Sequence, residues 1–143
     1  DAAGIAHFSA FFFWMESTEH EFLRELGIRV VDNDPEDMDS LRQELGSKEA
    51  GYELEVSWPR VSVSADYKAA VRFGDTLDVF ISVSELGSSS VTYCFRFENS
   101  GSLVATGTVV VVRCLMRNGM KPLPVRLSAS IFKRMKAHQL PTQ

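Results

Sequence analysis

The stretch FSAFFFWM, residues 8–15, is apolar on nearly every side once wound at helical pitch, and no ordinary surface helix carries such a surface. The pattern predicts a helix from about His7 to Leu26, ended by Gly27 in the left-handed region. Beyond Glu16 only Phe22, Leu23 and Leu26 keep an apolar stripe of usual width. The N-terminal half therefore needs cover from several directions, and a curved sheet would supply it.

The sheet is legible downstream. From Tyr52 onward apolar residues recur at every second position, first in ELEVSWP. In RVSVSADY, Val61, Val63, Ala65 and Tyr67 share one face; in TLDVFISVSE, Leu77, Val79, Ile81 and Val83 point inward. Across the turn ELGSSSV the segment VTYCFRFE folds back, so that Val83 meets Tyr93, Ile81 meets Phe95 and Val79 meets Phe97. A second hairpin about residues 99–102 sets Phe97 opposite Val104 and Cys94 opposite Gly107. The run Val109 to Val112 is apolar on both faces, which predicts a central strand covered on both sides. One helix covers one face, and a second copy of the chain is the simplest cover for the other.

With 143 residues and 45% hydrophobic content, the chain suffices for one domain with its own core. No apolar run reaches the roughly 20 residues of a membrane-spanning helix, and no secretory leader is expected. Cys114 falls about seven residues along the strand from the position opposite Cys94, roughly 23 Å at strand rise. That is beyond disulfide reach, so two reduced thiols in a cytoplasmic protein are expected. A net charge of −4 argues against nucleic acid as a partner. The charge is unevenly placed, however: residues 99–143 hold 7 of the 15 Lys and Arg and none of the 19 Asp and Glu. This is a cationic face for an anion such as a polyphosphate, or simply solvated strand and tail.

DPEDMDSLRQELG predicts a short acidic helix, with Asp34 as N-cap, Pro35 in the first turn and Gly46 as the stop. Its apolar edge, Met38, Leu41 and Leu45, is narrow, which suggests a surface flap over 34–46 rather than core. LSASIFKRMKAHQL suggests a basic amphipathic helix within 127–140, with Leu127, Ile131 and Met135 on one side.

The opening D-x-x-G-I-x-x-F before an aromatic helix resembles the 4-hydroxybenzoyl-CoA thioesterase family of hotdog acyl-CoA thioesterases. DYKAAVRFGDTLDVFISVSELGSSSVTYCFRF, SGSLVATGTVVVV and KPLP resemble that family's later strands, so the likeness covers most of residues 1–125. It implies an α+β hotdog fold, an antiparallel sheet wrapped around one long central α-helix, as a single domain over 1–143. It also implies a first strand upstream of Asp1, an insertion at 34–46, and a homodimer or homotetramer with active sites between subunits. Ser88 stands where some relatives carry a basic residue, and Ala70 where proline is common.

The resemblance further implies hydrolysis of an acyl-CoA thioester. Asp1 would supply the oxygen, either as a nucleophile or as a base activating water. Backbone N–H groups at the helix start, around His7 and Phe8, would receive the oxyanion, and Gly4 would let the chain turn between acid and donors. Taken alone, Asp1 reads first as a loop or capping carboxylate, and only the strands that follow turn the reading toward catalysis. His7 either hydrogen-bonds the acyl group or a water, or merely packs. Ser88, Ser89 and Ser90 either donate to pantetheine or phosphate, or form an ordinary hairpin loop. No metal-ligand spacing is present and no cofactor is expected. The alternatives are an acyl-carrier-protein thioesterase, whose acidic partner would suit the same basic face, and a non-catalytic acyl-CoA-binding module.

Overall fold

The computed structural model describes residues 4–46 and 54–141. Three helices, α1 (Ala10–Glu25), α2 (Met38–Leu45) and α3 (Ala129–Lys136), accompany seven strands. The strands are β1 (Glu55–Ser57), β2 (Arg60–Tyr67), β3 (Leu77–Leu86), β4 (Ser90–Asn99), β5 (Ser102–Val112), β6 (Cys114–Met116) and β7 (Leu123–Pro124). All pair antiparallel, in a four-stranded sheet ordered β2-β5-β4-β3 and a three-stranded sheet ordered β1-β6-β7. The α+β class follows directly.

The β3–β4 register is the one the alternation predicts: Val79 faces Phe97, Ile81 faces Phe95 and Val83 faces Tyr93. The β4–β5 register differs by one residue. Phe97 faces Ala105 and Cys94 faces Thr108, because a bulge at Phe97 and Glu98 inserts an extra residue near the turn. Both cysteines are free, and burial raises the Cys114 thiol above its ordinary range. β5 is an interior strand, as its valines imply. Val109 and Val111 are buried against the helices, while Val110 and Val112 are only half covered on the other face.

α1 is 16 residues long, shorter than the aromatic run suggests, because Phe8 and Ser9 form a tight turn closed by the Ala10 N–H donating to the His7 carbonyl at 3.0 Å. Its C-terminus behaves as expected. Gly27 has φ of 73°, and the Ile28 N–H returns to the Leu23 carbonyl at 2.9 Å. Phe11, Met15, Phe22 and Leu23 pack on the β4–β5 face, where rings of Phe11 and Phe97 meet edge-on. A Cβ at Gly107 would collide with the Met15 sulfur, so glycine there lets helix and sheet meet closely. Phe13 remains 69% exposed and Phe8 61%, so within one chain the cover expected around the whole aromatic half is incomplete.

α3 seats Ile131 and Met135 in the same core and is capped by Ser128, whose hydroxyl accepts from the Ile131 N–H at 3.1 Å. After it, residues 138–140 lie along β3, with Val83 exchanging two backbone bonds with His138 and Leu140.

α2 begins at Met38, four residues after Asp34, which instead turns back so that its N–H donates to the Asp32 carboxylate. Asp37 stands at the cap position, but its carboxylate accepts two bonds from the Arg113 guanidinium, at 2.7 and 2.8 Å. A fully buried guanidinium competes for it more strongly than a helix N–H does. Arg113, 1% exposed, also donates to the Arg126 carbonyl and marks the break between β5 and β6. The narrow edge of α2 covers a second small core, with Leu41 buried among Leu54, Val56, Leu115 and Val125. Asp37→Ala would leave Arg113 buried and unpaired, at a cost of about 3–5 kcal/mol in urea unfolding. Adding Arg113→Met to that variant should restore most of the loss.

Candidate active site at the start of the first helix

The turn RFGD builds the platform. The Arg72 N–H donates to the Asp75 carboxylate at 2.8 Å, the Asp75 N–H returns to the Arg72 carbonyl at 3.0 Å, and Gly74 takes a φ of 89°. Residues 4–6 lie antiparallel along it. The Ala6 N–H donates to the Val71 carbonyl at 2.7 Å, and the Phe73 N–H donates to Gly4 at 3.2 Å. Gly4 has φ of 72°, a left-handed conformation that allows the chain to turn onto this platform.

From there the chain enters the turn over residues 7–10. The Tyr67 hydroxyl, from the end of β2, donates to the Phe8 carbonyl at 2.9 Å and fixes that peptide plane. The N–H groups of Ser9, Ala10 and Phe12 are taken up locally, Ser9 by the His7 ring and the other two by the turn. Those of His7 and Phe8 have no hydrogen-bond partner among the described residues. Two unpaired donors therefore lie ahead of a 16-residue helix, at the positive end of its dipole.

Two cavities flank this start. One, of about 350 Å³, is lined by Ile5, Phe8, Phe11, Tyr67, Lys68 and Val71. The other, of about 800 Å³, lies between α1 and the RFGD turn, with Gly4, Trp14, Thr18, Arg72, Asp75 and Leu77 on its walls. Phe73 stands at its rim, 99% exposed.

Of the residues singled out from the sequence, the structure brings Gly4, His7 and Phe8 together. Asp1 lies outside the described residues. Ser88, Ser89 and Ser90 sit past the far end of β3, whose ten residues span roughly 33 Å. There the Ser88 and Ser89 carbonyls accept from the N–H groups of Leu127 and Arg113, so within one chain these serines brace the loop, away from the helix start. The cationic third is also partly neutralised: Arg113 pairs with Asp37 and Arg134 with Glu36, leaving Lys121, Arg126, Lys133 and Lys136 exposed. Tyr67 and Ser9 join the site without a sequence signal of their own. Nothing marks either as special except a tyrosine at an exposed strand end and a serine just ahead of the helix. Among the described residues no group of three or more His, Cys, Asp or Glu could hold a metal, and no helix could cross a membrane.

A buried ion pair lies further along α1. Glu19, 1% exposed, accepts from Arg60 Nε and Nη2 at 3.2 and 2.8 Å. Burial raises its pKa, and attraction to Arg60 offsets only part of that.

A sequence profile of the thioesterase-like superfamily matches residues 1–134. The chain belongs to that superfamily. Among sequence relatives of this thioesterase-like chain, the 1,4-dihydroxy-2-naphthoyl-CoA hydrolase of Prochlorococcus marinus strain NATL2A is 27% identical over 109 residues. That match covers 76% of the chain and 64% of the relative, so the chain spans less than two thirds of that protein's length. Among solved structures, a Pseudomonas aeruginosa PAO1 protein superposes with a TM-score of 0.73 at 23% identity, covering 100% of this chain and 85% of its own. A gentisyl-coenzyme A thioesterase superposes with a TM-score of 0.69 at 24% identity, covering 94% and 90%. These likenesses show the shared hotdog-type fold.

The raised pKa of Glu19 has a definite sign. The folded protein holds that proton more readily than the unfolded chain, so the contribution is fully present below the ordinary carboxyl pKa and is lost as pH rises through the folded value. Glu19→Gln cannot ionise. Urea unfolding of both proteins from about pH 4 to about pH 8 should show stability shifting in favour of the variant as pH rises. A constant difference, or a shift the other way, contradicts the assignment.

Proposed function

We propose that this thioesterase-like chain hydrolyses an acyl-CoA thioester to a free carboxylic acid and CoA. The observation that carries the reading is the pair of unpartnered N–H groups of His7 and Phe8 ahead of α1. A thioester carbonyl oxygen placed between them becomes an oxyanion when its carbon is attacked, and fixed donors stabilise that charge without reorganising. Asp1, six residues before His7 in the sequence, supplies the attack. It either bonds to the carbonyl carbon as a nucleophile or takes a proton from the water that does. On the base route the C–S bond then breaks, the thiolate takes the proton that Asp1 removed from water, and the acyl group departs as the acid. On the nucleophile route the thiolate leaves first, and a water then cleaves the acyl–Asp1 anhydride, releasing the acid and restoring the carboxylate. Gly4 and the RFGD turn hold the chain between acid and donors.

An aryl or other compact acyl group suits the site. The smaller cavity beside the two N–H groups is walled by Phe8, Phe11 and Tyr67, and the relatives' names cite naphthoyl and gentisyl thioesters. The exposed Arg126, Lys133 and Lys136 favour an acidic acyl carrier protein as the second reading of the carrier. A panel of acyl-CoA and acyl-carrier-protein thioesters, read by thiol release, separates the two. In a protein whose Asp1 is not a free terminus, Asp1→Asn should lower kcat by about two orders of magnitude or more while leaving ligand binding nearly unchanged. Hydrolysis at the wild-type rate would leave acyl-CoA binding without catalysis as the better account.

The chain is read as one hotdog domain, residues 1–143, its sheet curved around α1 and the segment 34–46 an insertion. It works as a homodimer joined along β2. That strand has no neighbour on its outer side among the described residues, and Val61, Val63 and Tyr67 stand exposed along it, with the exposed Phe8 next to Tyr67. A two-fold pairing of β2 covers this apolar strip and completes the wrapping of α1. A substrate-binding role for Ser88, Ser89 and Ser90 requires a second copy, through this dimer or a tetramer built from it. Val63→Asp should weaken self-association roughly tenfold or more in sedimentation at micromolar concentration. A wild-type monomer under those conditions would overturn both the dimer and the shared site.

A further inference from the structure

The two ring nitrogens of His7 are in different circumstances. Nδ1 faces back into the turn, where the Ser9 backbone N–H donates to it at 3.2 Å and the Ser9 hydroxyl oxygen lies 2.7 Å away. Nε2 has no hydrogen-bond partner among the described residues. A hydroxyl rotates to donate or accept, whereas a backbone N–H can only donate. A proton on Nδ1 would set two donors against each other. The lone pair therefore sits on Nδ1, and the neutral imidazole carries its proton on Nε2. A second observation points the same way. Ser9 occupies the N-cap position of α1, yet its side chain makes no cap bond to the helix and is given to His7 instead. The Phe8 ring, 4.3 Å from the imidazole between centroids and tilted by 32°, limits the swing of the ring.

We propose that Ser9 is a positioning residue for thioester hydrolysis. Its N–H selects the tautomer of His7 and its hydroxyl holds the ring, so that His7 presents an Nε2–H donor beside the unpaired N–H groups of His7 and Phe8. This rests on the helix start being the hydrolytic site. In that arrangement His7 is a third donor to the thioester carbonyl oxygen, and in the tautomer Ser9 selects, the base that activates water is not His7. A sequence scan for acid–base pairs misreads such a histidine, because what defines it is a neighbour two residues away.

The tautomer can be read without turnover, from the imidazole 15N resonances of histidine-labelled protein above the titration of the ring, with His7 assigned by its loss in His7→Gln. The expected spectrum shows a bare Nδ1 and a protonated Nε2; a predominant Nδ1–H form overturns the proposal. In thioester assays Ser9→Ala should lower kcat about three- to tenfold with little change in KM, the size of one lost hydrogen bond, and Ser9→Thr should restore it. In a His7→Ala background Ser9→Ala should cause no further loss. An equal loss in both backgrounds, or none in the wild-type background, overturns the positioning role. If the wild-type protein hydrolyses no thioester, the positioning role falls with the function, and an Nε2–H spectrum in that same protein locates the failure in the functional reading rather than in the tautomer.

Discussion

How closely α1 can approach β5 decides the geometry of everything at its start. Gly107 presents no side chain beneath Met15, and the helix settles onto the sheet there with Phe11 and Phe22 on either side. With that height fixed, the first turn of α1 emerges level with the end of β2 and with the RFGD turn. The Tyr67 hydroxyl can then reach the Phe8 carbonyl, and residues 4–6 can pair with 71–73. A Cβ at position 107 would collide with the Met15 sulfur, so the buried Met15 side chain would have to leave its place between helix and sheet.

The helix start is thus held from outside rather than by its own capping. Ser9 makes no side-chain cap bond, and no acid stands in the first turn. Such a terminus is less stable in isolation than a capped one, and the unpaired N–H groups of His7 and Phe8 lie ahead of the cap position, beyond the two donors a capping box takes up. Tyr67 and the RFGD platform supply from the tertiary structure the support that the sequence withholds locally.

The elements that repeat were the legible ones. The β3–β4 register could be read from alternation because every inward residue, from Leu77 to Val83, agrees with its partner across the turn. The β4–β5 register could not, since a bulge at Phe97 and Glu98 leaves no compositional trace and slips the pairing by one. Hydrophobicity alone makes α1 too long because apolar residues continue through Phe8, while the helix itself starts only after a turn that hydrophobicity does not report. Asp34 looked like a cap and Asp37 did not stand out, for only the folded chain brings Arg113 to it. At the candidate site, Gly4, His7 and Phe8 are singled out only by the resemblance of the opening motif to hotdog thioesterases, not by any periodicity. Tyr67 and Ser9 were missed because their roles are set by single hydrogen bonds between elements, which carry no periodic signal.

The two arginines that hold the segment before and at α2 come from far along the chain. Arg113 reaches Asp37 across 76 positions, and Arg134 reaches Glu36 across 98. During synthesis the acidic segment is therefore made long before its counter-charges exist, and loop closure over such separations is slow relative to hairpin formation. The β3–β4–β5 meander can assemble as it emerges, being built from neighbours. α2 has to wait for Arg113 and Arg134, which follow the meander in the sequence. Its docking is then the capture of an earlier segment by a later one, made by charge.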